Sequence, residues 1–337
     1  MSAPTPRELG RLAGRISPIW PVTVLMFAVS PLIAGGSLSS GALRSMIPFA
    51  ALLAISSAGQ SMVMQQRGLD LSVPGAVTLA AMVVTHYARG EDARLPVAIA
   101  LACLACVAGG IVLALAVTVL RLTALVASLG MNSVYLGAAL YLTHGVATEQ
   151  APPGLSRFSL GTVAGVSHIA IVAVVLVVIG AFVSGRTVLG RRFLLTAQSP
   201  AAARVAGIRV RSYLSWTFVA ASVCYATTGI FLAGFLQTPG LSVGSDYLLS
   251  TVAAVVLGGM SVGRRGNVIL STAAGALFLT QLEQVVLGTS TTPSVQYLVE
   301  GAIIAVAMLA PMLRLAWHRT RTQRVEPPTP VMEGTPR

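Results

Sequence analysis

Charge is what this chain has least of: only 9% of its 337 residues are charged while 55% are hydrophobic, against roughly 25% charged in an ordinary soluble domain. A soluble enzyme is excluded on that ground, and apolar residues run along nearly the whole length, leaving no room for a large aqueous domain. Lysine is missing altogether, so all 22 basic residues are arginines. Cysteine is scarce as well, and Cys103, Cys106 and Cys224 all fall within apolar runs. The Cys103/Cys106 pair has no second pair to complete a tetrahedral metal site and reads as small apolar packing. His86, His144, His168 and His318 are scattered without the paired spacing of a zinc enzyme. Neither a metal site nor a catalytic constellation is expected.

What is present is a series of long apolar stretches without the period-two alternation of barrel strands. Hydrocarbon requires each backbone polar group to be satisfied within its own segment, so these read as helices. Candidate spans are Pro18 to Ala34, Ser45 to Met64, Ser72 to Tyr87, Leu95 to Val119, Ala124 to Thr143, Val163 to Val183, Tyr213 to Leu236, Leu248 to Val262, Val268 to Leu287 and Ser294 to Leu313. At about 20 residues per crossing, the expected class is an all-α polytopic membrane protein of about ten transmembrane helices. Residues 1–17 are expected to form a cytoplasmic amino-terminal segment, 18–313 the transmembrane domain, and 314–337, rich in Arg, Pro, Thr and Glu, a disordered cytoplasmic tail.

The formal net charge of +12 points to anionic lipid headgroups and topology rather than to nucleic acid. With ten spans and a cytoplasmic amino terminus, 18 of the 22 arginines fall inside, leaving Arg44, Arg89, Arg94 and Arg157 outside. That asymmetry predicts both termini in the cytoplasm. The longest inside loop, 184–212, carries Arg186, Arg191, Arg192, Arg204, Arg209 and Arg211. Pro200 suits a first helical turn, the alanines favour helix and Gly207 can end it, so a short helix across the cytoplasmic face is expected. A basic loop held by anionic lipid is the alternative.

Intramembrane acids are usually kept for a pathway or a partner. Glu283 and Glu300, with Gln281, Gln284 and Gln296 nearby, could line a polar route near the outer surface or simply snorkel to the headgroups. Asp70 lies in Arg67-Gly-Leu-Asp-Leu-Ser-Val-Pro-Gly75, which interrupts the apolar sequence before a run too short for an easy crossing. A half-helix starting in the protein interior, capped by Asp70 or Ser72, would explain both facts; an ordinary surface loop is the alternative. Gly240-Leu-Ser-Val-Gly244 echoes this motif before the other short run, as two inverted halves of five spans would require.

Three blocks resemble the permease subunits of bacterial ATP-binding cassette importers for monosaccharides such as ribose, xylose and galactose, within the wider group that includes branched-chain amino-acid permeases. They are Gly68 to Gly75 with its Ala-rich helix, Leu125-Val-Ala-Ser-Leu-Gly-Met131, and Ala202-Ala-Arg-Val-Ala-Gly-Ile208 running on to Ala253-Ala-Val-Val-Leu-Gly-Gly-Met-Ser261; Gly275 through Gly301 follows the family's rhythm. The chain departs from the pattern at Gln198-Ser-Pro200, at Arg264-Arg265 and at Glu300, where relatives more often carry a basic or amide residue.

The resemblance implies an inner-membrane subunit that pairs with a second permease copy or homologue. It would receive solute from a periplasmic binding protein and couple to an ATPase through Ala201, Ala202, Ala203, Arg204, Val205, Ala206, Gly207 and Ile208. Asp70, Ser72, Glu283, Gln284 and Glu300 are the candidate pathway residues. Without lysine the chain has no Gly-x-x-x-x-Gly-Lys-[Ser/Thr] phosphate loop, so ATP and Mg are expected on the partner and no cofactor here. An ion-coupled secondary transporter, with Asp70 as the one plausible midplane acid, and a permease for nucleosides or another small polar solute are the alternatives.

Overall fold

The computed structural model describes residues 17–146, 149–258 and 267–289, with positions 294, 295, 298, 301, 302 and 305. Nine of the ten expected runs form helices. They are α1 (Ile19–Ile33), α2 (Ser40–Gln65), α3 (Val73–Ala88), α4 (Leu95–Thr118), α5 (Ala124–Thr143), α7 (His168–Arg186), α10 (Val210–Leu236), α11 (Tyr247–Leu257) and α12 (Val268–Gly288). Among the described residues, six segments are long and apolar enough to cross a membrane, those at α2, α4, α5, α7, α10 and α12; α1, α3 and α11 are shorter. Apart from positions 294, 295, 298, 301, 302 and 305, the run Ser294 to Leu313 lies outside the described residues, as do the tail, Arg264, Arg265 and Glu300.

Among the described residues three further α-helices, α6 (Pro153–Leu160), α8 (Val188–Gln198) and α9 (Pro200–Val205), and a 3-10 turn, Asp92–Arg94, lie between these helices. The sixth expected run starts late, at His168, because Thr162–Val163 and Val166–Ser167 pair as a two-stranded hairpin, β1 and β2. Ala164 and Gly165 between them both have positive φ, the geometry of a tight hairpin turn. The long arginine-rich loop is likewise not one helix but two, α8 and α9. Thr187 caps α8 by accepting from the Gly190 N–H, and Ser199 caps α9 by accepting from Ala202.

Two packing groups share one central helix. In the first, α3 lies against α4, α5 and α10; in the second, α2 lies against α7, α11 and α12, and α10 also packs along α2. Burial follows this arrangement: α2 is mostly buried, whereas α5 and α7 turn Leu125, Val126, Val174 and Phe182 outward. α3 is buried all round from Val73 to Thr85, which explains its uniform apolarity without a polar stripe.

The two ends of the molecule are chemically distinct. At one end Gln66 and Arg67 meet α8. At the other, Asp92 accepts from the Gly154 N–H at 2.6 Å and from Arg157 at 3.2 Å, Glu91 pairs with Arg94, and His86 pairs with Glu149.

Candidate functional site: a buried polar column along α2

The interruption before α3 is a buried break. Asp70 and Ser72 are each 1% exposed, which excludes the surface-loop alternative. α5 covers the break: the Ser128 hydroxyl accepts from the Leu71 N–H at 2.9 Å and donates to the Leu69 carbonyl, so the unpaired backbone is satisfied from a neighbouring helix. Capping differs from the expectation. Ser72 occupies the cap position but its side chain caps nothing. Asp70 Oδ1 accepts instead from Ser72 itself, at 2.9 Å from the N–H and 2.6 Å from the hydroxyl. The first-turn Gly75 N–H is satisfied by Asn132 Oδ1 of α5 at 2.8 Å. Ser128 and Asn132, four apart on one face of α5, therefore hold the break together. Their role was invisible in sequence, although Ser128 belongs to the block Leu125 to Met131 and Asn132 comes directly after it.

Beyond Asp70 a column of polar side chains runs through the core along α2. Gln60 accepts from the Tyr225 hydroxyl of α10 at 3.0 Å, and Ser56 donates to Thr228 at 2.7 Å. Ser56 and Gln60, like Ser57 and Ser61, are spaced four apart and so share a helix face. All four are buried. Among the described residues, Asp70 Oδ2, Ser57 Oγ, Gln60 Nε2, Thr272 Oγ1 and both amide atoms of Gln281 make no hydrogen bond. Each such buried group costs on the order of 1–3 kcal/mol unless something polar meets it.

The expected pathway residues fall in two groups. Asp70 and Ser72 lie past the carboxyl end of α2. Glu283 lines a cavity of about 670 Å³ with Phe49, Leu53, Asp246, Tyr247 and Ser250, a size suited to a small molecule. Leu53 of this cavity and Gln60, the partner of Tyr225, are about 10 Å apart along α2, with Ser56 and Ser57 between them. Gln284 is half-buried on the same helix as Glu283. The second Gly/Ser motif reaches the first: the Gly244 N–H donates to Thr78 of α3 at 3.1 Å, and a Cβ at Gly244 would strike the Pro74 carbonyl.

In the arginine-rich segment, α9 ends as expected. The Ile208 N–H returns to the Ala203 carbonyl at 2.9 Å, with Gly207 in the left-handed region at φ +73°. Ala201, Ala202, Arg204 and Ala206 face outward, and Val205 is 92% exposed. Ala203 is fully buried against its own chain.

Comparison with known proteins matches the chain, over residues 43–308, to the family described as "Branched-chain amino acid transport system / permease component". The autoinducer 2 import system permease protein LsrC of Enterobacter sp. (strain 638) is 33% identical over 234 residues, covering 69% of this chain and 68% of that protein. The protein of the same name from Escherichia coli (strain SMS-3-5 / SECEC) is 29% identical over 314 residues, covering 91% and 92%. No solved structure matches the chain.

Proposed function

The chain belongs to the family of branched-chain amino acid transport system permease components, and from that premise we propose that it carries a monosaccharide through the membrane as the permease subunit of an ATP-binding cassette importer. The observation that carries the choice of a polar solute is the column along α2, where buried amide and hydroxyl groups stand without partners among the described residues. A hydroxyl-rich solute would satisfy such groups as it passes. The cavity at Glu283 would be the mouth on the binding-protein side, and Asp70 with Ser72 would close the far end. Gln284 and Glu300 are assigned to the mouth by their sequence positions. Autoinducer 2, which the relatives' names give as their cargo, is the second candidate solute.

In this reading both termini and the α8–α9 pair face the cytoplasm of an inner-membrane protein, as the arginine asymmetry requires. A second permease copy or homologue completes the membrane part, and a periplasmic binding protein delivers solute. ATP and Mg are bound by a partner ATPase, and this chain holds no cofactor.

The coupling segment Ala201 to Ile208 serves as the ATPase contact through its outward residues. Small Ala201, Ala202 and Ala206 admit close approach, Arg204 offers a planar donor for a carboxylate, and Val205 supplies apolar contact. Because Ala203 is buried in its own chain, the informative change is Val205→Glu. It is expected to reduce ATPase copurification and uptake at least tenfold while leaving the amount of permease in the membrane unchanged. Undiminished ATPase copurification defeats the coupling assignment. Uptake of labelled D-ribose, D-xylose, D-galactose and autoinducer 2 by the reconstituted complex decides the solute.

A further inference from the structure

The carboxyl end of α2 holds an arginine where the backbone favours glycine. Arg67 has φ +62°, and the bonds around it, from the Arg67 N–H to the Met64 carbonyl and from the Gly68 N–H to the Val63 carbonyl, are those of a helix terminated by a left-handed residue. Glycine adopts that conformation without steric opposition, whereas a residue with a Cβ does not. The side chain supplies the reason for the arginine: its Nη2 donates to the Gln198 carbonyl at 3.1 Å, at the last residue of α8 and directly before Ser199, which caps α9. Next to it, Gln66 Nε2 donates to the Phe193 carbonyl at 3.3 Å and to the Thr196 hydroxyl at 3.0 Å, and Thr196 is buried.

Gln66 therefore grips the last turns of α8, and Arg67 its final residue, at the joint with α9. Only Gly68 and Leu69 separate them from Asp70, and Ser128 and Asn132 fasten Leu71 and Gly75 to α5. Any displacement of the α8–α9 pair must pull on this short tether. We propose that Gln66 and Arg67 are positioning residues that transmit movement of the α8–α9 pair to the buried break ahead of α3, so that their side chains link ATP hydrolysis to transport without themselves holding the ATPase. The proposal rests on the coupling role assigned to α9 under the proposed function.

The test uses the full permease copurified with its ATPase and reconstituted in liposomes, with Leu69→Cys as a reporter and labelling of the unaltered chain as background. Arg67→Gly is suited to it, since glycine is the residue this backbone prefers and the turn should persist. With Arg67 in place, maleimide labelling of Leu69→Cys is expected to change at least fivefold on trapping with ATP and vanadate. With Arg67→Gly, and independently with Gln66→Leu, that change should shrink below twofold while ATP hydrolysis stays within twofold of the parent. Arg67→Lys, which keeps a donor, should restore most of the response. A nucleotide response that survives both substitutions overturns the proposal, as does its absence when Arg67 is present, or hydrolysis that falls in step with it. The coupling reading is separately tested by Val205→Glu, and failure of the ATPase to copurify even with the unaltered chain overturns that reading and the relay with it.

Discussion

Asp70 gathers two hydrogen bonds from Ser72 on one oxygen and leaves the other buried without one among the described residues. Asp70→Ala removes the acceptor and strands the Ser72 N–H and hydroxyl, a loss of about 1–3 kcal/mol. A lowered melting temperature in detergent is expected, together with uptake reduced at least tenfold at normal membrane abundance; normal uptake would remove Asp70 from the pathway. This residue was legible from sequence because an acid inside an apolar stretch is conspicuous. Asn132, which holds the first turn of α3 from 57 positions away, was not. An asparagine in an apolar helix has several roles open to it, and nothing local says which backbone it will meet. The conformation of Arg67 is likewise hidden in sequence, since a left-handed φ leaves no mark when the residue is not glycine.

At the scale of elements, the apolar runs gave the helices because hydrocarbon tolerates little else, and most boundaries fell within a few residues. Short segments carried too little pattern. Pro153–Leu160 is eight residues long, and the hairpin at Ala164–Gly165 has strands of two. The meeting of the two breaks was readable only as a repeated Gly/Ser motif; its contact is a backbone approach between α3 and the 240–244 segment. Gly244→Val tests that approach, since its Cβ would strike the Pro74 carbonyl and come within 2.8 Å of Thr78 Oγ1. Overpacking of this kind costs typically 1–3 kcal/mol, so a fall of several degrees in melting temperature is expected, accompanied by loss of uptake. An unchanged melting temperature would show that the two segments can separate freely.

For the whole molecule, the proposed orientation rests on where the arginines lie rather than on any single contact. Ala206→Cys at the end of α9 and Thr162→Cys on the hairpin are both exposed positions assigned to opposite sides. An impermeant maleimide applied to intact cells should label Thr162→Cys and spare Ala206→Cys; the reverse pattern inverts the topology. α10 lies between the two packing groups, touching α2, α3 and α4, so the polar column is walled by both. The seat of Gly244 on Pro74 and Thr78 then has a thermodynamic consequence. α3 carries the break at one end and the contact with the 240–244 segment beside it, and that segment borders the cavity through Gly240, Ser242 and Val243. If nucleotide on the proposed partner ATPase changes solute affinity at this cavity by some factor, solute must change nucleotide affinity by that same factor, whatever the order of binding.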